Sequence, residues 1–302
     1  MEVSGQAAVI GLGSMGWGAA LSLLRSGFAV HGCDVRSDVL VRFAQAGGLA
    51  CATAAAAVKA ADVVFVYVVN SKQVEDVLFG VQGALEGARP STVFLLCTTM
   101  APSASVAIAE RLETAGMLVI DAPVSGGHQR ALSGEITVMA SGSGEAFSRA
   151  SAALDAVSAR VFRLGDRAGP GSQVKMINQL LAGVHIAATA EAMTLAAKSG
   201  IDLKTLYDVL RVSAGSSWMF ENRGEHIVTG DYTPRSAVNI FVKDLGIVAS
   251  EAQKAGAVTP LATAAMQLFL EAAEAGLGLE DDAAVAKILA RKSGAVLPGM
   301  GG

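Results

Sequence analysis

Two groups of residues could act together on an alcohol carbon. The first is the loop Gly11-Leu12-Gly13-Ser14-Met15-Gly16, followed by Asp34 about twenty residues on. The second is Lys175, in Gly169-Pro-Gly-Ser-Gln-Val-Lys175-Met-Ile-Asn178-Gln179, at the head of a long uncharged stretch. Glycines at the first spacing let the backbone turn tightly, approach a pyrophosphate and pack a helix against a strand. The helix N-terminus then offers free N–H groups and a positive dipole end to the phosphates. An acid ending the next strand suits adenosine ribose hydroxyls and repels a 2′-phosphate, which favours NAD over NADP. Arg36, two residues beyond, leaves NADP open. A lysine in apolar helical surroundings tends to be paired or functional, because an unpaired buried ammonium is costly. Desolvation and a neighbouring cationic nicotinamide would both draw its pKa from about 10.4 toward the range of a general base. A hydride acceptor and a proton acceptor are the two halves of alcohol oxidation.

On a helix, Asn178 and Gln179 fall on the face that carries Lys175, where their amides could orient a substrate hydroxyl or carboxylate. The segment Asp121-Ala-Pro-Val-Ser125-Gly126-Gly127 follows an apolar run. Its serine and two glycines could offer a hydroxyl and backbone N–H groups to a carboxylate. Taken alone, that segment reads better as an ordinary Ser-Gly-Gly turn. Lys243-Asp244, late in the chain, reads alone as a surface ion pair on a helix.

These residues need a frame. Ala7–Gly11, Phe28–Cys33, Val63–Val69, Thr92–Cys97 and Met117–Ile120 are short apolar runs separated by helix-compatible segments. Such alternation predicts an α/β, doubly wound parallel sheet of the Rossmann type, with ligands at the carboxyl ends of its strands. Ile136–Ala140 and Arg160–Leu164 add further strands. After Gly165 the pattern becomes helical, beginning with one long helix over 172–198 that is apolar on nearly every side and so expected to be buried. The chain therefore divides into a dinucleotide-binding domain over 1–165 and an all-helical domain over 166–302, where substrate binding and oligomerisation would reside.

Bulk properties narrow the function classes. At 302 residues, 52% hydrophobic and 17% charged, the chain is a well-packed globular protein. A net charge of −4 with scattered basic residues argues against a nucleic-acid or anionic-membrane partner. The uncharged run Ser91–Ala109 carries Pro102 and many hydroxyls, and reads as a strand and loop, not a membrane span. No basic segment precedes an apolar one at the start, so a cytoplasmic location is expected. Cys33, Cys51 and Cys97 are odd in number and lack C-x-x-C spacing, so reduced thiols are expected. The four histidines are far apart, and no metal site is expected.

Together and in order, the glycine loop, Asp121–Gly127, Gly169–Gln179 and Lys243-Asp244-Leu245 resemble the β-hydroxyacid dehydrogenase family, over nearly the whole chain. The resemblance implies a dinucleotide-binding domain joined by a long helix to an all-helical domain, in homodimers or homotetramers. It implies a small hydroxyacid as substrate, Lys175 as the catalytic acid/base, and Ser125, Gly126 and Gly127 as the carboxylate site. It places Thr98 and Thr99 beside the nicotinamide and brings Lys243 toward the cofactor. Val69 stands at the cofactor edge where the family commonly has proline. Two further departures are Leu96, where an acid is usual, and Gln179, a longer amide than the usual second asparagine. The segment Ser216–Arg223 with Asp231-Tyr-Thr-Pro234 resembles the branch that oxidises L-threonate at C2, and His128, Gln129 and Arg130 would suit a polyhydroxylated chain. The alternatives are 3-hydroxyisobutyrate oxidation, tartronate semialdehyde reduction, imine reduction, decarboxylation of a phospho-sugar acid, or non-catalytic reading of NAD.

Overall fold

The computed structural model describes residues 5–300. They form two compact units, Met1–Lys175 and Met176–Gly302 by chain position. The sequence reading divides the chain at 165, in the loop before the long helix. The compact units instead meet inside that helix, directly after the lysine.

Among the described residues the first unit is built on nine strands: β1 (Gln6–Ile10), β2 (Ala29–Cys33), β3 (Leu49–Ala50), β4 (Val63–Val66), β5 (Val93–Leu96), β6 (Leu118–Asp121), β7 (Val124–Ser125), β8 (Ile136–Gly142) and β9 (Ser158–Arg163). Their order is β3-β2-β1-β4-β5-β6-β8-β7, with β9 alongside β8. From β3 to β6 every pairing is parallel. The chain moves outward from β1 through β2 to β3, then crosses back to β4 beside β1. The carboxyl ends of β1 and β4 therefore flank the point where winding reverses, and ligands bind such sheets there. Beyond β6 the sheet changes direction, since β8 runs antiparallel to both β6 and β7.

Burial follows the strand period. Val63 and Phe65 of β4 enter one core, while Val64 and Val66 enter the other on the opposite face of the sheet. All four residues of β4 and of β5 are buried, as central parallel strands covered on both faces require.

The long helix runs Pro170–Lys198, with proline in the position where its missing N–H costs nothing. Its apolar surface is not covered all round, contrary to the sequence expectation. Val174, Ile177, Leu181 and Leu195 are exposed, at spacings that set them in one stripe. Charge depletion in the sequence could not tell a side covered within the chain from one left bare. Among the described residues this is the one helix long and apolar enough to cross a bilayer, and half of that window is buried inside the protein.

The second unit contains helices Leu203–Leu210, Trp218–Thr229, Val238–Ala255, Pro260–Ala272 and Val285–Ser293. Phe241 and Phe269 stack at 5.1 Å in its core. Beside that core lies a buried ionic cluster. Arg223 donates to both carboxylate oxygens of Asp282 at 2.5 and 2.9 Å, and His226 Nδ1 lies 2.9 Å from Asp281 Oδ1. Arg235 closes it, its guanidinium against His226 Nε2 and its backbone N–H on Asp281.

Candidate active site

The three glycines of the first loop are separable by what a side chain would meet. At Gly11, with φ +88°, a Cβ would lie 2.3 Å from the Tyr67 carbonyl oxygen. At Gly16 it would lie 1.9 Å from the Gly11 carbonyl oxygen, which is what close packing of the helix Ser14–Arg25 on β1 demands. At Gly13 it would meet nothing within 4 Å. Gly13 is also the N-cap of that helix, makes no side-chain cap bond, and no acid occupies the first turn. Open ground at an uncapped helix N-terminus is what a pyrophosphate needs, so these residues fit a dinucleotide.

Asp34 lies just beyond β2 with its side chain 6% exposed. Its Oδ2 accepts the Leu12 N–H at 2.7 Å, tying the acid to the glycine loop. Arg36 reaches both oxygens, Nε to Oδ1 at 3.0 Å and Nη2 to Oδ2 at 3.1 Å, and its own N–H donates to Oδ1. Burial works against the charge, but the Arg36 and Leu12 hydrogen bonds outweigh it and hold the carboxyl below its usual range. Arg36, the residue that left NADP open, is thus engaged by the acid itself. Val35 between them is fully exposed at this edge.

Along the same sheet edge, Val69 is half exposed and its N–H donates to Gln73 Oε1 at 2.8 Å. Thr98 is buried, its hydroxyl donating to the Val68 carbonyl at 3.0 Å, while Thr99 is half-buried. Tyr67 and Cys97 lie side by side at the ends of β4 and β5, where burial pushes the Cys97 thiol up to about 12.

The turn after β6 has Gly126 at φ +134° and Gly127 at φ +71°, conformations that side chains resist. Ser125 and Gly126 are half-buried and Gly127 is exposed. His128 Nδ1 donates to the Ser14 carbonyl at 3.1 Å, so this turn is tied to the glycine loop.

Lys175 is 7% exposed. The start of its helix is held by a residue to which the sequence reading gave no role of its own. Asp121, fully buried at the end of β6, accepts the Gly169 N–H at 3.0 Å, the Ser172 N–H at 2.8 Å and the Ser172 hydroxyl at 2.7 Å. Ser141 adds a bond from the Gly171 N–H at 3.0 Å. A carboxylate at a helix N-terminus satisfies free N–H groups and matches the dipole. One side chain thereby links the Ser125–Gly127 turn, four residues on, to the helix that bears the lysine. The signal was an acid ending an apolar strand.

Within the second unit, Asn178 Nδ2 donates to Gln179 Oε1 at 2.9 Å. Gln179 Nε2 donates to Asp244 Oδ2 at 2.5 Å, and Lys243 Nζ lies 2.6 Å from Asp244 Oδ1. Asp244 is buried, so Lys243-Asp244 is not the surface pair that its sequence alone suggests. It is the inner end of a chain of polar contacts running back to Asn178. Arg223 is held by Asp282 in the buried cluster, which takes it away from any phosphate of a phospho-sugar acid. A cavity of about 470 Å³ between Gln6, Phe28, Arg89 and Arg149 lies at the amino ends of the strands, away from all of these groups.

Residues 6–165 match the profile of the NAD-binding domain of 6-phosphogluconate dehydrogenase. Residues 169–289 match that described as NAD-binding of NADP-dependent 3-hydroxyisobutyrate dehydrogenase. The chain belongs to the β-hydroxyacid dehydrogenase family. Among curated relatives, L-threonate dehydrogenase of Cupriavidus necator is 54% identical, over 96% of this chain and 97% of that one. The enzyme of the same name from Escherichia coli K12 is 49% identical over 96% of each. A crystal structure from Salmonella typhimurium, named 3-hydroxyisobutyrate dehydrogenase, superposes with a TM-score of 0.91 at 48% identity, covering 94% of this chain and all of that one. As a β-hydroxyacid dehydrogenase, the chain is an NAD-dependent oxidoreductase acting on the CH–OH group of hydroxyacids.

Proposed function

We propose that this enzyme oxidises L-threonate at C2 to the 2-oxo acid 2-dehydro-L-erythronate. The observation that carries the reading is a buried Lys175 on a helix capped by Asp121, in one compact unit with the glycine loop, Asp34 and the Ser125–Gly127 turn. Two relatives at about half identity bear the L-threonate name, which supports the choice of substrate.

In this proposal Gly11 to Gly16 hold the pyrophosphate and Asp34 the adenosine ribose, with Val69 and Thr99 along the nicotinamide edge. NAD, when bound, supplies the acceptor for the hydride that leaves C2. Ser125 Oγ and the N–H groups of Gly126 and Gly127 bind the substrate carboxylate. Lys175 takes the hydroxyl proton as the C2–H bond breaks and the carbonyl forms. Asn178, one turn further along the helix, orients the substrate, and Gln179 holds Asn178 from behind through its bond to Asp244. Lys243, paired with the same carboxylate, is assigned to cofactor binding on the family resemblance alone.

The Salmonella structure's name favours 3-hydroxyisobutyrate as a second reading. NADH formation across both threonates, D-erythronate, the glycerates and 3-hydroxyisobutyrate decides between them. Selective turnover of L-threonate is the expected result, and equal turnover of 3-hydroxyisobutyrate would remove the substrate assignment. Binding of NAD with no turnover of any acid would instead support a non-catalytic reader. We further propose a homo-oligomer, dimer or tetramer, because the bare stripe on the long helix is apolar. A cytoplasmic location suits three cysteines that are odd in number and lack C-x-x-C spacing.

A further inference from the structure

Cys33 ends β2 and Cys51 follows β3. These two strands pair in parallel with Gly32 opposite Ala50, and the Cys51 N–H donates to the Gly32 carbonyl at 2.8 Å. Continuing that register by one residue puts Cys33 opposite Cys51. Neighbouring strands lie about 4.8 Å apart, inside the roughly 4.4–6.8 Å between Cα atoms that a disulfide spans. Both thiols pack against the same core cluster, so they emerge on the same face of the sheet.

A neutral imidazole lies beside one of the thiols. His31, two residues before Cys33 on the same face, has Nε2 3.1 Å from Gln6 Oε1. An amide oxygen can only accept, so the ring proton sits on Nε2 and Nδ1 carries the lone pair. That Nδ1 lies 4.0 Å from Cys51 Sγ, and burial keeps the imidazole neutral by lowering its pKa. The far end of the pair touches the cofactor loop, since the Cys33 carbonyl accepts the Gly11 N–H at 2.8 Å and Asp34 is the next residue.

We propose that Cys33 and Cys51 form a reversible disulfide at the shoulder of the adenosine site, and that closing it weakens NAD binding. The oxidant is a low-molecular-weight disulfide. Cys51 Sγ loses its proton to solvent as pH rises, and the thiolate attacks the oxidant's S–S bond, forming a mixed disulfide and releasing one thiol. Cys33 Sγ then attacks the Cys51 sulfur and expels the second thiol. Two protein thiols are oxidised and one external disulfide is reduced to two thiols. Burial raises both protein thiols, and Cys33 is raised further by Cys51 and Asp34, so exchange is slow at neutral pH and quickens as pH rises. Cys97, buried and held up at about 12, remains a thiol and serves as an internal control.

The test treats the full-length protein with oxidised glutathione at pH 8 to 9, followed by peptide mass analysis and NAD titration by calorimetry. Expected are loss of two hydrogens, a cross-linked Cys33–Cys51 peptide, an unmodified Cys97, and an NAD Kd raised by about five- to a hundredfold. Reductant restores the original Kd, and Cys51→Ser keeps its NAD affinity through the same treatment. A stable glutathione adduct on either cysteine without a cross-link overturns the disulfide. A cross-linked protein with unchanged NAD affinity overturns its effect on binding. The effect on binding rests on the cofactor site proposed above. Failure of the reduced protein to bind NAD would refute that site, while the cross-link is read by mass alone.

Discussion

Replacing Asp121 by asparagine tests whether the lysine's position depends on the cap beneath it. The carboxylate accepts two backbone N–H bonds and one hydroxyl bond at the helix start, all buried. Asn keeps the shape and can turn its amide oxygen to the Gly169 and Ser172 N–H groups, which share Oδ2, leaving its NH₂ toward the Ser172 hydroxyl. The three bonds survive but lose the charge; charged bonds are worth about 1.5–3 kcal/mol against about 1 for neutral ones, so the loss is roughly 2–4 kcal/mol. In a unit of this size each kcal/mol lowers Tm by about 2–4 °C, so a drop of roughly 5–15 °C is expected. A helix start displaced by about 1 Å would also cost up to about a hundredfold in turnover. The assays are thermal unfolding by circular dichroism and NADH formation with L-threonate below the variant's transition. The expected pattern is a lower Tm and a lower kcat, with NAD affinity unchanged. Ser172→Ala removes only the hydroxyl bond and should cost about 1 kcal/mol, with a small effect on kcat. Unchanged Tm and kcat in Asp121→Asn would refute the positioning argument. A loss of NAD affinity equal to the loss of kcat would show that the damage is general.

Lys175→Ala should lower turnover by about two to four orders of magnitude and leave NAD binding intact; near-normal turnover measured by NADH formation would refute its role as the base. Asp34→Ser, with Arg36 retained, should raise the NAD Kd by about tenfold or more and admit NADP, since the charge that repels a 2′-phosphate is gone. Because Asp34 is held below the usual carboxylate range, it stays ionised as pH falls from 8 to 5. Its contribution to folding is present above the ordinary carboxyl pKa and is lost only as pH falls through the lower, folded value. NAD affinity by calorimetry should therefore stay flat over that interval, and a weakening centred near pH 6 would contradict it. Arg223→Ala leaves Asp282 buried without its partner and should destabilise the second unit by about 3–5 kcal/mol in a denaturant titration. If Arg223 served the substrate instead, the variant would keep its stability and show a raised KM.

The glycine turn between β1 and its helix was readable because its demands are local. A glycine triplet between strand and helix, with an acid one strand later, needs no distant partner to be recognised, and the structure places Gly11, Gly13, Gly16 and Asp34 as that spacing requires. The parallel strands were readable because burial on both faces leaves continuous apolar runs such as Val63–Val66. What escaped depends on partners far along the chain. Asp121 reaches forward about fifty residues to Ser172, Gln179 about sixty-five to Asp244, and Arg223 about sixty to Asp282. Charge and residue type announce that such groups need a partner but not which one. That is why Lys243-Asp244 read as a surface pair. The antiparallel turn of the sheet at β7 and β8 was hidden likewise, because a two-residue strand carries no period.

The place where the two compact units divide has a consequence for exchanging parts between relatives. The division falls between Lys175 and Met176, midway through an unbroken helix whose first turn is fastened to Asp121 and Ser141. A chimera joined at that point would give the lysine one parent's cap and the following amides another parent's core, with the phase of the helix set by whichever anchor is stronger. A junction in the loop before Gly169 avoids that seam but separates Asp121 from the N–H groups it holds. Substrate preference can therefore be traded as a module only if Asp121, Ser141 and the whole of Gly169–Lys198 travel together. Recombination that respects the compact units alone would break the part on which the chemistry is proposed to depend.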